Sequence, residues 1–364
     1  MAGPSKLVVF GLTVSSSWGN GHATLWRGLI RALAREGCEV VFFERDVEWY
    51  AESRDLTALE GAHLVLYTDW ASVRDRAANE VRSADAAMVT SYCPDGPAAA
   101  ELALQAAVSV FYDLDTPVTL ASLAAGERVP YLPREGLGGF DLVLSYTGGR
   151  ALDALRDRLG ARRAEPLYGH VDPEAHRPVA PQEGYRADLS YIGTYAEDRQ
   201  PALEALFLEP ARRRLRQRFV LAGAGYPQDF PWSDNVWFVQ HLPPGEHPAF
   251  FSSSRLTLNV TRRDMAAWGW CPSGRIFEAA ACGAPVLSDC WEGLERFLEP
   301  GREILLADGS DAAAAALDLD EAEAAAIGAA ARARVLAEHT SGHRARELLH
   351  LLEEAARPAR RARA

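Results

Sequence analysis

From Leu7 to about Leu167, short apolar runs of strand length alternate with stretches whose apolar residues recur at helical spacing. Strands are predicted at Leu7 to Leu12, Glu39 to Phe43, His63 to Tyr67, Ala86 to Thr90, Ala107 to Tyr112 and Leu142 to Ser145. Between the first two, Leu25, Leu29, Ile30 and Leu33 mark one face of a helix over His22 to Arg35. This alternation predicts a parallel sheet with crossover helices, a Rossmann-like domain over residues 1–168. From Tyr168 to Tyr185 the period lapses into prolines, charges and histidines, so residues 169–186 read as an interdomain linker. A second series follows, with strands near Asp188 to Ile192, Arg218 to Ala222, Val236 to Gln240, Leu256 to Val260, Pro285 to Ser288 and Ile304 to Leu306. It predicts a second Rossmann-like domain over 187–340. Ala- and Glu-rich helices are predicted at Ala312 to Leu317, Glu321 to Glu338 and His343 to Ala356. Residues 341–364, the last helix and tail, are placed as a separate piece that folds of this kind can return to the N-terminal domain. The expectation is an α/β chain of two Rossmann-like domains facing a central cleft, with a helical C-terminal end.

Composition agrees with two folded domains. The 364 residues suit two cores of ~150–200 residues, and 48% hydrophobic with 24% charged residues exclude a disordered chain. The formal net charge of −12 argues against a sequence-independent nucleic-acid binder, which needs a surplus of Lys and Arg. Cys38, Cys93, Cys271, Cys282 and Cys290 form no CxxC pair and no metal-site spacing, which fits a reducing cytoplasm. No signal-peptide pattern follows Lys6, and no run approaches the ~20 apolar residues of a membrane span. A soluble cytoplasmic protein is expected, with the arginine-rich tail from Arg357 to Ala364 a frayed end. Oligomeric state is not readable from the sequence.

The richest chemistry runs from Cys271 to Asp289. Pro272 at a first helical turn, then Ser273 and Gly274, opens a helix whose free amides and positive dipole end suit a phosphate, and Arg275 adds charge. Glu278 falls on the same face one turn later, placed to reach a ribose. Gly283 ends this helix and Pro285 begins a strand. The stretch SGRIFEAAACGAPVLSD, preceded by LTLNVTRRDM and followed by FLEPGREILLA, resembles the C-terminal domain of the CgeB-like (spore maturation protein) group 1 glycosyltransferases. These are of the GT-B type and are related to glycosyltransferase family 4. The resemblance covers about Leu189 to Leu351. It implies that Glu278 binds the donor ribose. It also implies that Gly193, Thr194 and Tyr195, in YIGTYAEDR, form the loop after the domain's first strand, with Arg199 near the diphosphate. Arg262 and Arg263 are further candidates, of which one is expected to point into the cleft; Arg263 is taken. Family 4 enzymes often carry a second glutamate eight positions before the first, where this sequence has Trp270.

The second informative stretch, Gly11 to His22, is a Gly- and Ser-rich loop between the first strand and first helix. A dinucleotide site would need GxGxxG there, and Gly19 and Gly21 have the wrong spacing. In GT-B enzymes this loop faces the cleft, which makes Trp18, Gly19, Asn20 and Gly21 acceptor-side candidates and His22 a candidate base for an acceptor hydroxyl. A capping or packing histidine is the competing reading. Asp113 and Asp115, in FYDLDTP, have DxD spacing, but they read better as acceptor-side lining at a strand end than as metal ligands. His170 and Asp172 could reach a cleft from the hinge, an exposed hinge histidine being the alternative, and Trp268 and Trp270 could stack on a base or sugar or cover the helix entry.

These readings converge on a glycosyltransferase that moves a sugar from a nucleotide diphosphate sugar, most simply a uridine one, to an unidentified acceptor. Helix amides and arginines are expected to stabilise the leaving group, with no metal and no cofactor beyond the nucleotide-sugar co-substrate. Family 4 resemblance favours retention of anomeric configuration, whereas His22 as a base would suit inversion. The rivals are a nucleotide-sugar epimerase on the same scaffold and a non-catalytic nucleotide-sugar-binding protein; a Rossmann oxidoreductase lacks its loop.

Overall fold

The structure, a computed structural model, describes residues 3–361. The chain divides into two compact units, one holding the chain up to Tyr168 together with the helix from Ser341, the other Gly169–Thr340.

The first unit is built on a seven-stranded sheet in the order β3-β2-β1-β4-β5-β6-β7, with every neighbouring pair parallel. The strands are β1 (Lys6–Gly11), β2 (Glu39–Arg45), β3 (Ala62–Tyr67), β4 (Ala86–Thr90), β5 (Ser109–Asp113), β6 (Leu142–Ser145) and β7 (Ala164–Pro166). Strands β4, β5 and β6 are buried at every position, as helices on both faces require, while edge strand β3 alternates buried and exposed residues. The predicted strand at Ala107 to Tyr112 lies two residues later and ends on Asp113. β7 went unpredicted because three residues ending in Pro166 carry no alternation, and proline is tolerated at this edge. The helix His22–Arg35 buries Leu25, Trp26, Leu29, Ile30 and Leu33. The C-terminal helix Ser341–Arg361 packs along it, with Arg346 reaching Glu36 at 3.2 Å and Arg163 reaching Glu354 at 2.7 Å. That helix continues to Arg361; the remainder of the tail expected to fray lies outside the described residues.

The second unit has a six-stranded parallel sheet in the order β10-β9-β8-β11-β12-β13. Its strands are β8 (Ala187–Ile192), β9 (Phe219–Gly223), β10 (Val236–Gln240), β11 (Ser254–Asn259), β12 (Val286–Ser288) and β13 (Leu305–Leu306). Leu189, Tyr191, Phe207, Phe219, Leu221, Leu256, Leu258 and Leu287 form its core. The helix Glu321–Glu338 starts from a capping box between Asp320 and Glu323. Its Gly328 lies against the chain at Gly283, where a β-carbon would come within 2.3 Å of the Gly283 carbonyl oxygen. The segment 169–186 is bonded into this unit. Val171 bridges Thr340, the Val179 and Gln182 amides donate to the Ser252 and Ser253 hydroxyls at 3.1 and 2.8 Å, and His170 and His176 are buried. His170, for which solvent exposure was one expectation, is 3% exposed, and Asp172 is spent on a local turn, accepting from the Glu174 amide at 3.0 Å.

Each sheet has one topological switch point, β1/β4 in the first and β8/β11 in the second, where consecutive connections depart in opposite directions. In open α/β sheets the crevice outside the carboxyl ends of such a strand pair is where ligands bind. Among the described residues no helix is long and apolar enough to cross a membrane.

Candidate functional site

In the second unit the β8/β11 switch point is spanned by one side chain. Arg275 donates from Nε to the Ile192 carbonyl at the end of β8 (2.6 Å) and from Nη1 to Asn259 Oδ1 at the end of β11 (2.7 Å). Its guanidinium lies over the Tyr191 ring, 5.1 Å from the centroid. Burial pulls its pKa down, Tyr191 opposes this and neighbouring Arg199 adds to it, yet an arginine so placed stays a cation at neutral pH. Gly193 follows β8, and a β-carbon there would stand 2.5 Å from the Tyr191 hydroxyl and 3.1 Å from Arg275 Nη2. At the end of β9, Gly223 is packed on Gly193 so closely that a β-carbon would collide with its carbonyl oxygen. Arg199 donates to the Thr194 carbonyl at 3.2 Å, and its buried Nε has no hydrogen-bond partner among the described residues. Tyr195 packs edge-on against Tyr226, whose hydroxyl donates to the Gly193 carbonyl at 3.0 Å.

Arg275 belongs to the helix Gly274–Ala281, capped at Ser273 by an extended backbone with no side-chain hydrogen bond, so its first amides are not taken by the cap side chain. Pro272 therefore precedes the cap instead of lying in the first turn: the helix begins two residues later than the sequence suggests. Behind Asn259 a buried network holds the strand ends. Asn259 Nδ2 donates to Ser288 Oγ (3.0 Å), while Asp289 accepts from the Thr261 amide (3.1 Å) and hydroxyl (3.0 Å). Burial raises the Asp289 pKa against the pull of these hydrogen bonds. Trp270 has a left-handed backbone (φ 51°), and its indole lies where a β-carbon on Gly293 would meet it at 2.5 Å. Its amide donates to the Glu292 carbonyl at 2.7 Å.

One turn into the same helix, Glu278 meets two histidines from distant segments. His176 Nε2 lies 3.8 Å from Glu278 Oε1, and the His176 and His247 ring centroids are 5.7 Å apart. Burial pulls the His247 pKa down to about 4, against the charge of Glu278 and with the help of His176.

In the first unit the loop from Leu12 to Gly21 wraps a carboxylate. Glu44, the sixth residue of β2, is fully buried and accepts from the Thr13 hydroxyl (2.8 Å), the Val14 and Ser15 amides (2.8 and 3.0 Å) and the Ser15 hydroxyl (2.5 Å). Asn20 is buried in the same loop, donating to the Thr13 carbonyl and accepting from the His22 amide at 3.1 Å, so its side chain ties the loop to the start of the first helix, whose N-cap residue is Gly21. Gly19 and Gly21 look onto open space, and Trp18 packs edge-on against Trp49. His22 Nε2 stands 3.7 Å from Asp115 Oδ2, which also accepts from the Tyr92 hydroxyl at 2.8 Å. Tyr92, just after β4, is held at φ 65°, a strained backbone for a tyrosine that aims its ring at this group. Asp113 is fully buried and accepts from the Asp115 amide at 3.1 Å. Burial raises its carboxyl to about 6, opposed by hydrogen bonds from Thr119, Asp115 and Ser91.

The sequence-predicted donor residues Gly193, Thr194, Tyr195, Arg199, Ser273, Gly274, Arg275 and Glu278 thus lie on the loop after β8 and the first turns of one helix. Arg263 does not join them: its side chain is 78% exposed, 4.0 Å from Asp264, whereas Arg262 pairs with Asp198 at 2.9 Å beside Arg199. On the first unit His22 and Asp115 meet, while Asp113, expected to line the acceptor side, is enclosed by protein. Tyr92, Glu44, His176, His247 and Asp289 were not anticipated. Only Asp289 carried a sequence signal, as the polar residue just after a predicted strand, closing the stretch from Cys271.

The family model described as Glycosyl transferase-like matches residues 199–350. No curated protein matches the chain. Among solved structures the chain is similar to sucrose-phosphate synthase from Thermosynechococcus elongatus, with 17% identity and TM-score 0.66 over 96% of this chain and 98% of that one. It is also similar to Anabaena Alr3699/HepE in complex with UDP and glucose, with 14% identity and TM-score 0.68 over 96% of this chain and all of the other. An alpha-glucosyltransferase in complex with UDP and a mismatched DNA matches at 11% identity and TM-score 0.67, over 97% and 100% of the two chains. The fold is that of the GT-B glycosyltransferases, two Rossmann-like units.

Proposed function

We propose that this chain, whose GT-B fold carries a glycosyl transferase-like domain over residues 199–350, is a glycosyltransferase that draws its sugar from a uridine diphosphate sugar held by the second unit. The observation that carries this reading is Arg275, a cation fixed across the β8/β11 switch point beside Gly193 and at the open N-terminus of its own helix. A diphosphate placed there meets backbone amides, Arg275 and Arg199, and Glu278 lies one turn on as an acceptor for ribose hydroxyls. The charge that develops on the leaving diphosphate is then neutralised by fixed donors, and no metal is needed at the phosphates. The structural neighbours crystallised with UDP or UDP-glucose support the choice of uridine.

On the first unit, His22 is read as the general base. Asp115 orients its ring and stabilises the imidazolium formed when it takes a proton from an acceptor hydroxyl. Gly19 and Gly21 leave open space beside it for that acceptor, next to Trp18.

Isothermal titration of the chelator-treated protein with UDP, TDP, GDP and NAD, repeated with Glu278→Ala, tests the donor assignment. UDP is expected to bind best and to lose at least about tenfold in affinity in the variant, the loss of one or two hydrogen bonds to a charged acceptor. Binding of NAD, or nucleotide binding that ignores Glu278 and needs added Mn²⁺, would overturn it.

A further inference from the structure

Two histidines with no role in the donor assignment, His176 from the segment after Gly169 and His247 at the start of the helix His247–Ser252, converge in the second unit on Glu278. One ligand atom from each lies within 4.8 Å of the other two. We propose that they form a binding site for a divalent d-block cation of the zinc class, with two imidazoles, one carboxylate and a fourth position for water. The proposal stands on these three side chains and does not depend on the donor assignment.

The strongest observation is the state of the histidines. His176 is 4% exposed, and among the described residues neither of its ring nitrogens has a hydrogen-bond partner, nor does the buried Nδ1 of His247. Buried nitrogens without partners are costly and uncommon, and two imidazoles turned toward one carboxylate leave them so for no structural gain. A cation satisfies one nitrogen of each ring at once. His247 also shows the outer bond that metal-ligating histidines use: with Nε2 protonated it donates to the Leu242 carbonyl at 3.3 Å, which leaves the Nδ1 lone pair directed elsewhere.

The donor set selects the ion. Two nitrogens and one carboxylate oxygen suit zinc and its d-block neighbours, whereas Mg²⁺ and Ca²⁺ need a shell of oxygens that this pocket does not supply. Zinc bonds of about 2.0–2.1 Å set ligand atoms roughly 3.3 Å apart, so the cluster has to close by about 1 Å per side chain, within reach of small side-chain rotations. A carboxylate has two oxygens, so Glu278 can turn Oε1 to the cation while the other remains for a second ligand.

The test uses the full chain, stripped by chelator and free of nucleotide, titrated with Zn²⁺ by calorimetry and with Co²⁺ by visible absorption. One equivalent is expected to bind, with the d–d bands of a four-coordinate cobalt site and a rise in the unfolding temperature. His176→Gln and His247→Gln should each weaken Zn²⁺ binding by more than the about 10- to 100-fold that loss of an outer-shell partner costs. His350→Gln, which removes an exposed histidine 3.4 Å from Glu354, should change nothing. Each variant's unfolding curve in chelator establishes that it is folded, and the two histidine variants are read independently. Absence of stoichiometric binding to the wild type, or binding that survives in a folded His176 or His247 variant, would overturn the proposal.

Discussion

At the β8/β11 edge of the second unit an arginine joins the ends of the two diverging strands, while at the β1/β4 edge of the first unit the matching space is bordered by a serine- and glycine-rich loop and a neutral tyrosine. The sheets share a connection pattern and a switch point. What differs is where charge is placed. In the second unit a cation stands at the edge itself, backed by Asn259 and Asp289; in the first the fully buried Glu44 carboxylate is consumed by the loop that it anchors, and the Asp115 carboxylate is engaged by the Tyr92 hydroxyl and lies beside His22. One edge is therefore suited to an anionic ligand and the other to a neutral, hydroxyl-bearing one, from the same backbone plan.

The largest effect that could break this contrast lies at His22. His22→Ala should lower the rate of sugar transfer by about 10²- to 10⁴-fold while leaving the affinity for UDP unchanged, as expected for loss of a general base. Steady-state rates and UDP titration on one preparation decide it; a variant that loses UDP affinity and keeps its rate would remove His22 from the chemistry. The complementary change is Arg275→Ala. It deletes the cation spanning β8 and β11 and should weaken UDP by about 10²- to 10³-fold. If UDP affinity survives within a factor of about three, the diphosphate is held elsewhere and the charge contrast has no functional meaning.

The two edges also differ in how far they could be foreseen. Strand positions in both units follow from apolar runs: β4 and β6, buried at every position, are continuously apolar and have the predicted bounds, and edge strand β10 has them too because its apolar run VWFV persists although Trp237 and Phe238 are exposed. The helix with Arg275 and Glu278 was readable because its signals, small residues, a helix start and a cation, stand close together in sequence. The partners of those residues were not, because they come from other elements: Asn259, at the end of β11, meets Arg275 across 16 positions, and His176, in the irregular segment before β8, approaches Glu278 across four strands of sequence. Tyr92 offered no signal at all, since its role depends on a left-handed backbone that a tyrosine rarely adopts. Arg263 shows the opposite failure: two adjacent arginines are equivalent by type, and only the start of a helix at Arg263 turns one to solvent.

Asp113 gives a test by pH that belongs to the first unit alone. Its folded carboxyl titrates near 6, above the ordinary 3.8, so the folded state binds more protons between those values. Stability should therefore be greatest below about pH 4 from this group, fall as pH rises from about 4 to 6, and lose on the order of 1–3 kcal/mol by neutrality. Asp113→Asn should flatten that part of the profile. Denaturant midpoints of the two proteins between pH 4 and 7 measure it, and parallel profiles would show that Asp113 is not the group responsible.

The smallest test compares two glycines, one at each edge. At Gly193 an added β-carbon meets the Tyr191 hydroxyl at 2.5 Å and Arg275 Nη2 at 3.1 Å, so alanine must displace the tyrosine or the arginine. At Gly21 nothing lies within 4 Å, and the backbone there is ordinary right-handed, so alanine has both the room and the conformation it needs. Gly193→Ala should cost about 1–3 kcal/mol, the range for forcing extra volume into a packed site, and should appear as weaker UDP binding. Gly21→Ala should change stability by no more than about 0.5 kcal/mol, in either direction. Because each variant adds one methyl group, their difference isolates packing from chemistry. If the two variants bind UDP equally well, the close approach at Gly193 serves the fold and not the ligand; if only Gly193→Ala weakens it, the position of Arg275 against that loop is what the second unit holds in place for the diphosphate.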